Sequence, residues 1–429
     1  MVHSAYIKIW NKLAGAVVWY PEQGLGHFEF HPDFFKTNWD ISPIFMPLAQ
    51  SKSKIYTFQN HRNNSTYKGL PGLLADVLPD KYGNALINTW LARHGRPNDS
   101  LNPVEMLCFI GKRGMGALEF EPVQPQIASN STLIELNDLI GMAQHIVSGK
   151  AMFNTSLSKE EDKALLDILK IGTSAGGARA KAVIAYNPLT KVIRSGQANA
   201  PEGFSHWLIK FDGVHDTQFG ASDGYGRVEM AYYLMAQEAG INMMPCQLLE
   251  ENGRAHFMTR RFDRTDDNEK IHIQSFCAMM HFDFNDVLSY SYEQLFQTMR
   301  ILRLPYQDAE QLFIRMVFNV LSKNCDDHTK NFSFMMHKNG EWRLSPAYDV
   351  CHAYRPGSQW VSQQSLSVNG KRRSIGYEDF LAVAQQANIK KPKEIIERIV
   401  NVVDKWPEFA EKVGVHPLLK DTIQKTFKL

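Results

Sequence analysis

Hydrophobic and polar positions alternate near the start of the chain. Tyr6-Ile7-Lys8-Ile9-Trp10 and Gly15-Ala16-Val17-Val18-Trp19 read as a strand pair broken at Asn11-Lys12, and Gly26-His27-Phe28-Glu29-Phe30 as a further strand. The period then lengthens: Leu70 to Pro79, Asn84 to His94 and Glu105 to Phe109 predict helices, and Gly116 to Phe120 returns to strand. Residues 122–132, rich in Pro, Gln, Ser and Asn, read as a linker, followed by helices over Leu133 to Val147 and Lys159 to Leu169. Strand patterns at Ala182 to Tyr186, His206 to Phe211 and from Phe257 flank a helix over Val228 to Ala239. From Gln307 to Lys323, Leu312, Phe313, Met316, Val317, Val320 and Leu321 recur at helical spacing, which predicts a buried helix ending just before Asp326. Beyond it, Phe332 to Met335 and Glu341 to Leu344 flank Asn339-Gly340, a two-residue hairpin signal. A chain folded about that turn pairs positions summing to about 679, which sets Asn331 opposite residue 348 and beside Asp349.

The chemistry-bearing residues fall on these elements in a definite order. Asp326 and Asn331 stand in a D-x-x-x-x-N arrangement, the spacing of a phosphoryl-transfer catalytic loop, in which the acid takes a hydroxyl proton and the amide holds a metal ion. Asp349 supplies a second oxygen ligand. Upstream, the small-residue segment Gly172 to Lys181 runs into a strand, and glycines there would let backbone N–H groups approach phosphates. Lys210 ends one strand pattern, and Glu229 lies early in the following helix, the pairing that orients nucleotide phosphates in kinases. Arg260-Arg261-Phe262 sits where a strand passes into a connector, the place of an adenine-binding hinge. Each feature is common alone. Their order is not.

Composition narrows the setting. The chain has 429 residues, 47 Lys and Arg against 45 Asp and Glu, and a formal charge of +2, so bulk charge does not bring it to nucleic acid. The length suffices for two domains or one bilobal enzyme. Five scattered cysteines (Cys108, Cys246, Cys277, Cys325, Cys351) lack metal or disulfide spacing and read as reduced thiols. No signal peptide or membrane-length apolar run is present, which points to a cytoplasmic protein with no membrane association.

At this point the residues resemble a known family. Gly172 to Lys181, Arg261-Phe262-Asp263-Arg264, Asp326 to Asn331 and Tyr348-Asp349 are together similar to the HipA serine/threonine kinase toxins of type II toxin–antitoxin modules. Gly72 to Asp80 and Gly114 to Pro122 resemble that family's N-terminal signatures. The resemblance implies an α+β, bilobal kinase-like fold, with a HipA-type N-terminal subdomain over 1–125. A β-rich kinase N-lobe would occupy 148–260 and a mainly helical C-lobe 261–429, with ATP in the cleft between them. It further implies ATP and Mg2+ as cofactors and Asp326 as catalytic base. Asn331 and Asp349 would be the metal ligands. Gly176, Gly177, Ala178, Arg179, Ala180, Lys181, Lys210, Arg260, Arg261, Phe262, His328, Thr329, Lys330 and Tyr348 would border the nucleotide, supported by Glu229. Ser174 matches the serine such kinases phosphorylate on themselves; a phosphate there would repel those of ATP and switch the enzyme off.

The implied partners are a HipB-like helix-turn-helix antitoxin, operator DNA through that complex, and a protein substrate such as an aminoacyl-tRNA synthetase. Direct DNA contacts would fall to Lys371, Arg372 and Arg373. Two other readings stay open on the residues alone. One is a non-catalytic corepressor holding the antitoxin on DNA. The other is a hydrolytic metal site built on Asp326, Asp327, His328 and Asp349.

Overall fold

The computed structural model describes residues 2–93, 95–122, 180–196, 199–214 and 223–427. Its fold is α+β, with antiparallel sheets and helices, and the chain divides into two compact units. The first comprises Met1–Ser42, Met46–Gly226 and Leu249–Ile273; the second comprises Pro43–Phe45, Arg227–Leu248 and Gln274–Leu429. The linker expected at 122–132 and the helices expected over 133–147 and 159–169 lie outside the described residues, save Pro122.

In the first unit the predicted strand pair forms an antiparallel sheet. Strands β1 (Ser4–Ile9) and β2 (Lys12–Tyr20) are joined by Trp10-Asn11, both at positive φ as a two-residue hairpin of matching twist requires. With β3 (Leu25–Phe30), β4 (Ile55–Tyr56) and β5 (Leu118–Glu121) they form a sheet of order β4-β3-β2-β1-β5. Alternation sends Ala5, Ile7 and Ile9 inward and leaves Tyr6 exposed. The helix Pro103–Ile110 begins with an Asn102–Glu105 capping box and Pro103 in its first turn.

A second antiparallel sheet has order β7-β6-β8-β10-β9. It comprises β6 (Lys181–Tyr186), β7 (Ile193–Ser195), β8 (Ser205–Lys210), β9 (Cys246–Glu251) and β10 (Arg254–Arg260). Tyr82 and Leu86, from the helix Lys81–Arg93, pack with Ala182, Ile184, Ile209 and Met258 in one buried cluster. The strand β11 (His272–Ser275) follows the connector.

The second unit is mainly helical. Its helices include Tyr292–Ile301, Tyr306–Leu321, Tyr377–Ala387 and Pro392–Asp404. Tyr232 lies edge-on to Phe318 and Trp406, with ring centroids 6.1 and 5.6 Å away. Here too is the predicted hairpin, β12 (Ser333–Met336) with β13 (Trp342–Leu344), but its turn differs from the expectation. Phe334 faces Leu344 and Met336 faces Trp342, one position off the predicted register. Gly340 N–H donates to His337 O at 2.9 Å, and Gly340 stands at φ 85°. The loop is therefore three residues, Lys338-Asn339-Gly340: a tight turn followed by a left-handed glycine. All five cysteines are free thiols. Among the described residues no helix is long and apolar enough to cross a membrane.

Candidate active site

Helix Tyr306–Leu321 brings the chain to the loop that carries Asp326, and polar residues on its inner side hold that loop. Arg315 and Asn319, four residues apart and so on one face, are buried among the apolar residues of the helix's second half. Asn319 Oδ1 accepts from Asn324 Nδ2 at 3.0 Å, and Asn319 Nδ2 donates to the Tyr292 hydroxyl at 3.0 Å. Cys325 N–H donates to Ala353 O at 3.0 Å, so the loop also leans on the segment beyond Asp349.

The neighbouring acids have opposite surroundings. The Asp326 side chain keeps about a third of its surface exposed (32%), with His328 Nε2 3.8 Å from Oδ1. Asp327 is buried: Oδ2 accepts from the Tyr292 hydroxyl at 2.8 Å and Oδ1 from Ser365 N–H at 2.7 Å. Burial pushes the Asp327 carboxyl up to about 7, against the opposing effect of those hydrogen bonds.

After the acids the backbone makes one short turn, Thr329–Asn331, whose start is capped by His328 Nδ1 accepting from Lys330 N–H at 3.2 Å. Asn331 Nδ2 donates to Asp326 O at 2.6 Å, which turns the amide nitrogen to the loop backbone. Tyr348, from the far arm of the hairpin, donates its hydroxyl to Lys330 O at 2.7 Å. Asp349 follows it at φ 53°, a left-handed conformation that aspartate tolerates better than most residues. The Lys330 ammonium lies 4.4 Å from the centre of the Phe284 ring, which also borders His328. Thr329 is buried. Hairpin and loop thus bring Asp326, His328, Asn331, Tyr348 and Asp349 into one neighbourhood. Behind them is a small cavity of about 10 Å3, room for one water, where Arg315, Asn319, Asn324, Asp327, Asn331 and Asp349 meet the apolar side chains of Ile241, Phe332, Ala347 and Val350. Arg315 Nε and Asn324 Oδ1 are buried there without a hydrogen-bond partner.

The other predicted site residues lie in the first unit, apart from Glu229. Lys181 and Lys210 stand directly opposite each other on β6 and β8, so both project from one face of the sheet. Lys210 also faces Phe257 of β10, its ammonium 5.7 Å from the ring centre. Ala180 is buried at the entry to β6. Glu229 is buried in the helix Tyr225–Glu238 of the second unit. Ser174, Gly176, Gly177, Ala178 and Arg179 lie outside the described residues.

Family models settle the ancestry. The HipA N-terminal domain matches residues 5–121 and the HipA-like C-terminal domain residues 173–406, the latter alone more than half of the chain. The chain belongs to the HipA family. A solved relative by fold is the HipA of a Shewanella oneidensis MR-1 toxin–antitoxin system, in complex with HipB and its operator DNA. The alignment covers 99% of this chain and 94% of that one, with a TM-score of 0.68 and 17% identity. A Sinorhizobium fredii protein named "Putative kinase Y4mE" is 25% identical over 193 residues, 42% of this chain and 44% of the relative, so the chain matches less than half of that protein's length.

Within the HipA frame two predicted contacts take a different form. Arg261, expected at a hinge, is buried, and its guanidinium grips Asp263 through Nε at 2.8 Å and Nη2 at 2.7 Å. Its side chain is committed to structure, and Arg260 pairs with Asp266. In the basic turn, Lys371 pairs with Asp379 at 2.9 Å and Arg372 turns inward to the carbonyls of Ser365 and Tyr290. Lys371 and Arg373 are exposed, Arg373 held to Ser362 Oγ at 3.3 Å. Sequence reasoning left Tyr292, Asn319 and Ser365 unassigned. The legible signal was Asn319, an amide inside an apolar helical run.

Proposed function

We propose that this HipA-family protein is an ATP- and Mg2+-dependent protein serine/threonine kinase, the toxin of a type II toxin–antitoxin pair. The observation that carries the reading is the gathering of Asp326, Asn331 and Asp349 by one loop and one hairpin, with the Asn331 amide nitrogen tied to the Asp326 carbonyl. The Asp349 carboxylate and the Asn331 amide oxygen, with the unpartnered buried Asn324 Oδ1 nearby, are oxygen donors of the kind a hard cation takes. Mg2+ suits so sparse a ligand set, because it keeps several waters and takes further oxygens from phosphates. Asn331 and Asp349 would hold it, and bound there it would neutralise charge on the transferring phosphoryl group. Asp326, partly exposed within the loop, would accept the proton of the attacking hydroxyl. Lys181 and Lys210, directly opposed on one sheet face, would meet the nucleotide's phosphates. The backbone of Arg260 to Phe262 and the glycine segment ending at Lys181 would complete the nucleotide's surroundings. Ser174 would be the autophosphorylation site, and its phosphate would oppose ATP binding by like charge. A HipB-like antitoxin would be the partner, operator DNA would be met through that complex, and an aminoacyl-tRNA synthetase is the substrate class we favour.

The test is label transfer from radiolabelled ATP with Mg2+, by the pure protein alone and in a bacterial lysate. Asp326→Asn is expected to lose transfer by about 100-fold or more. Ser174→Ala should abolish self-labelling while labelling of a lysate protein persists. Equal transfer by wild type and Asp326→Asn removes the assignment.

A further inference from the structure

The two adjacent acids differ so sharply in surroundings that they serve different purposes. Asp327 is enclosed by donors: Tyr292 OH, Ser365 N–H and also the N–H of Leu366. The same partners reach the chain on both sides of Asp326. Ser365 Oγ donates to Cys325 O at 3.0 Å, one residue upstream. The Tyr292 hydroxyl accepts from Asn319, which holds Asn324. Gln364 Nε2 donates to Asn319 O at 3.1 Å, and Arg372 clamps Ser365 O from the basic turn. Asp326 itself makes none of these side-chain bonds; the residues before and after it do.

We propose that Asp327 is a positioning residue, a buried acceptor hub that fixes the Asn324–Asn331 loop and thereby aims the Asp326 carboxylate. This deepens the kinase reading and rests on it for its catalytic consequence, although the anchoring stands independently of any activity. Every donor points at an oxygen, so an amide of the same shape would set its own N–H2 against Tyr292 OH or a backbone N–H.

The test compares full-length wild type with Asp327→Asn and Tyr292→Phe by two measurements. The first is hydrogen exchange at Ser365 and across residues 325–331, read against the β12–β13 hairpin as an internal standard. Exchange in the loop and at Ser365 is expected to accelerate at least about tenfold in Asp327→Asn, with the hairpin unchanged. The second is kinetics: kcat for phosphoryl transfer should fall roughly 10- to 100-fold while KM for ATP stays within about threefold, the signature of misaimed chemistry with binding intact. Tyr292→Phe should move both readouts the same way by less, and it carries the test should Asp327→Asn not fold. Loop exchange at the wild-type rate in a folded variant overturns the proposal, as does an undiminished kcat. A wild type without transfer whose loop still loosens in Asp327→Asn would sink the kinase reading and leave the anchor standing.

Discussion

Asp263 shows how much a single side chain can organise. It is fully buried between Arg261 and Arg264 and accepts from Gly116 N–H at 2.7 Å. Burial alone would raise its carboxyl, but the two guanidinium groups and the backbone donor outweigh that and hold it well below the usual carboxylate range. Arg264 meanwhile donates to the carbonyls of Gly114 and Gly116, so the Arg-Phe-Asp-Arg run ties the connector to the loop preceding β5. Gly116 stands at φ 75°, and a Cβ there would meet Ile273 Cγ1 at 2.9 Å, which is why this position takes glycine. Replacing Asp263 by Ala strands two buried cations. Denaturant unfolding should show a loss of about 3–5 kcal/mol, and a loss under 1 kcal/mol would mean water reaches the pair.

Among the elements, the helix Tyr306–Leu321 is the mount of the site. Its buried polar residues each grip something different. Asp308 accepts from Arg343 Nε and Nη2 at 2.9 and 2.8 Å and from Leu344 N–H at 2.9 Å; Arg315 donates to Ser345 O at 2.7 Å; Asn319 holds the loop. The first two fasten β13 and the residue after it, and so set the height at which Tyr348 and Asp349 return to the Asn324–Asn331 loop. Asp308→Ala should cost about 2 kcal/mol, since a charged acceptor is lost and the buried Leu344 N–H is left unsatisfied. Amide exchange should rise in β13 more than in β12; uniform change across both would point to global unfolding instead. The turn of this hairpin shows the reach of local reading. Asn339-Gly340 announced a turn, but two- and three-residue loops both use glycine at positive φ. Which one forms depends on how β13 is fastened to the helix.

The whole molecule should be sensitive to acid in a defined window. His206, His256, His272 and His352 are buried, and burial pushes each down to about 4 from an ordinary value of 6.5. The unfolded chain takes up protons first as pH falls from 6.5 towards 4, so stability falls across that window, by up to roughly 3 kcal/mol for each histidine. Asp327 works in the opposite sense. Its raised carboxyl makes the folded state bind the extra proton between 3.8 and about 7, so its contribution improves as pH falls. His61 is pushed down as well, while Asp40 and Asp212 join Asp327 in being pushed up by burial; the four strongly shifted histidines outweigh these acids and leave a net loss. Denaturant midpoints measured from pH 7.5 to 4.5 should decline, most steeply below 6.5, and a flat profile would show that the histidines are hydrated.

The periodic elements, and the order of the chemical motifs along them, were determined by the sequence alone, because strand alternation and helical spacing are local properties of which residues seek water. The long helix, the hairpin, the strand position of Lys210 and the Asp326–Asn331 spacing were all legible there. The division of labour between Asp326 and Asp327 was not, because two identical side chains acquire different chemistry only from what surrounds them. Burial under Tyr292 and Ser365, distant in sequence by 35 and 38 residues, decided it. Tertiary structure likewise decided that the Arg261 and Arg372 side chains act as clamps, since a guanidinium goes to whichever acceptors the fold places in its reach.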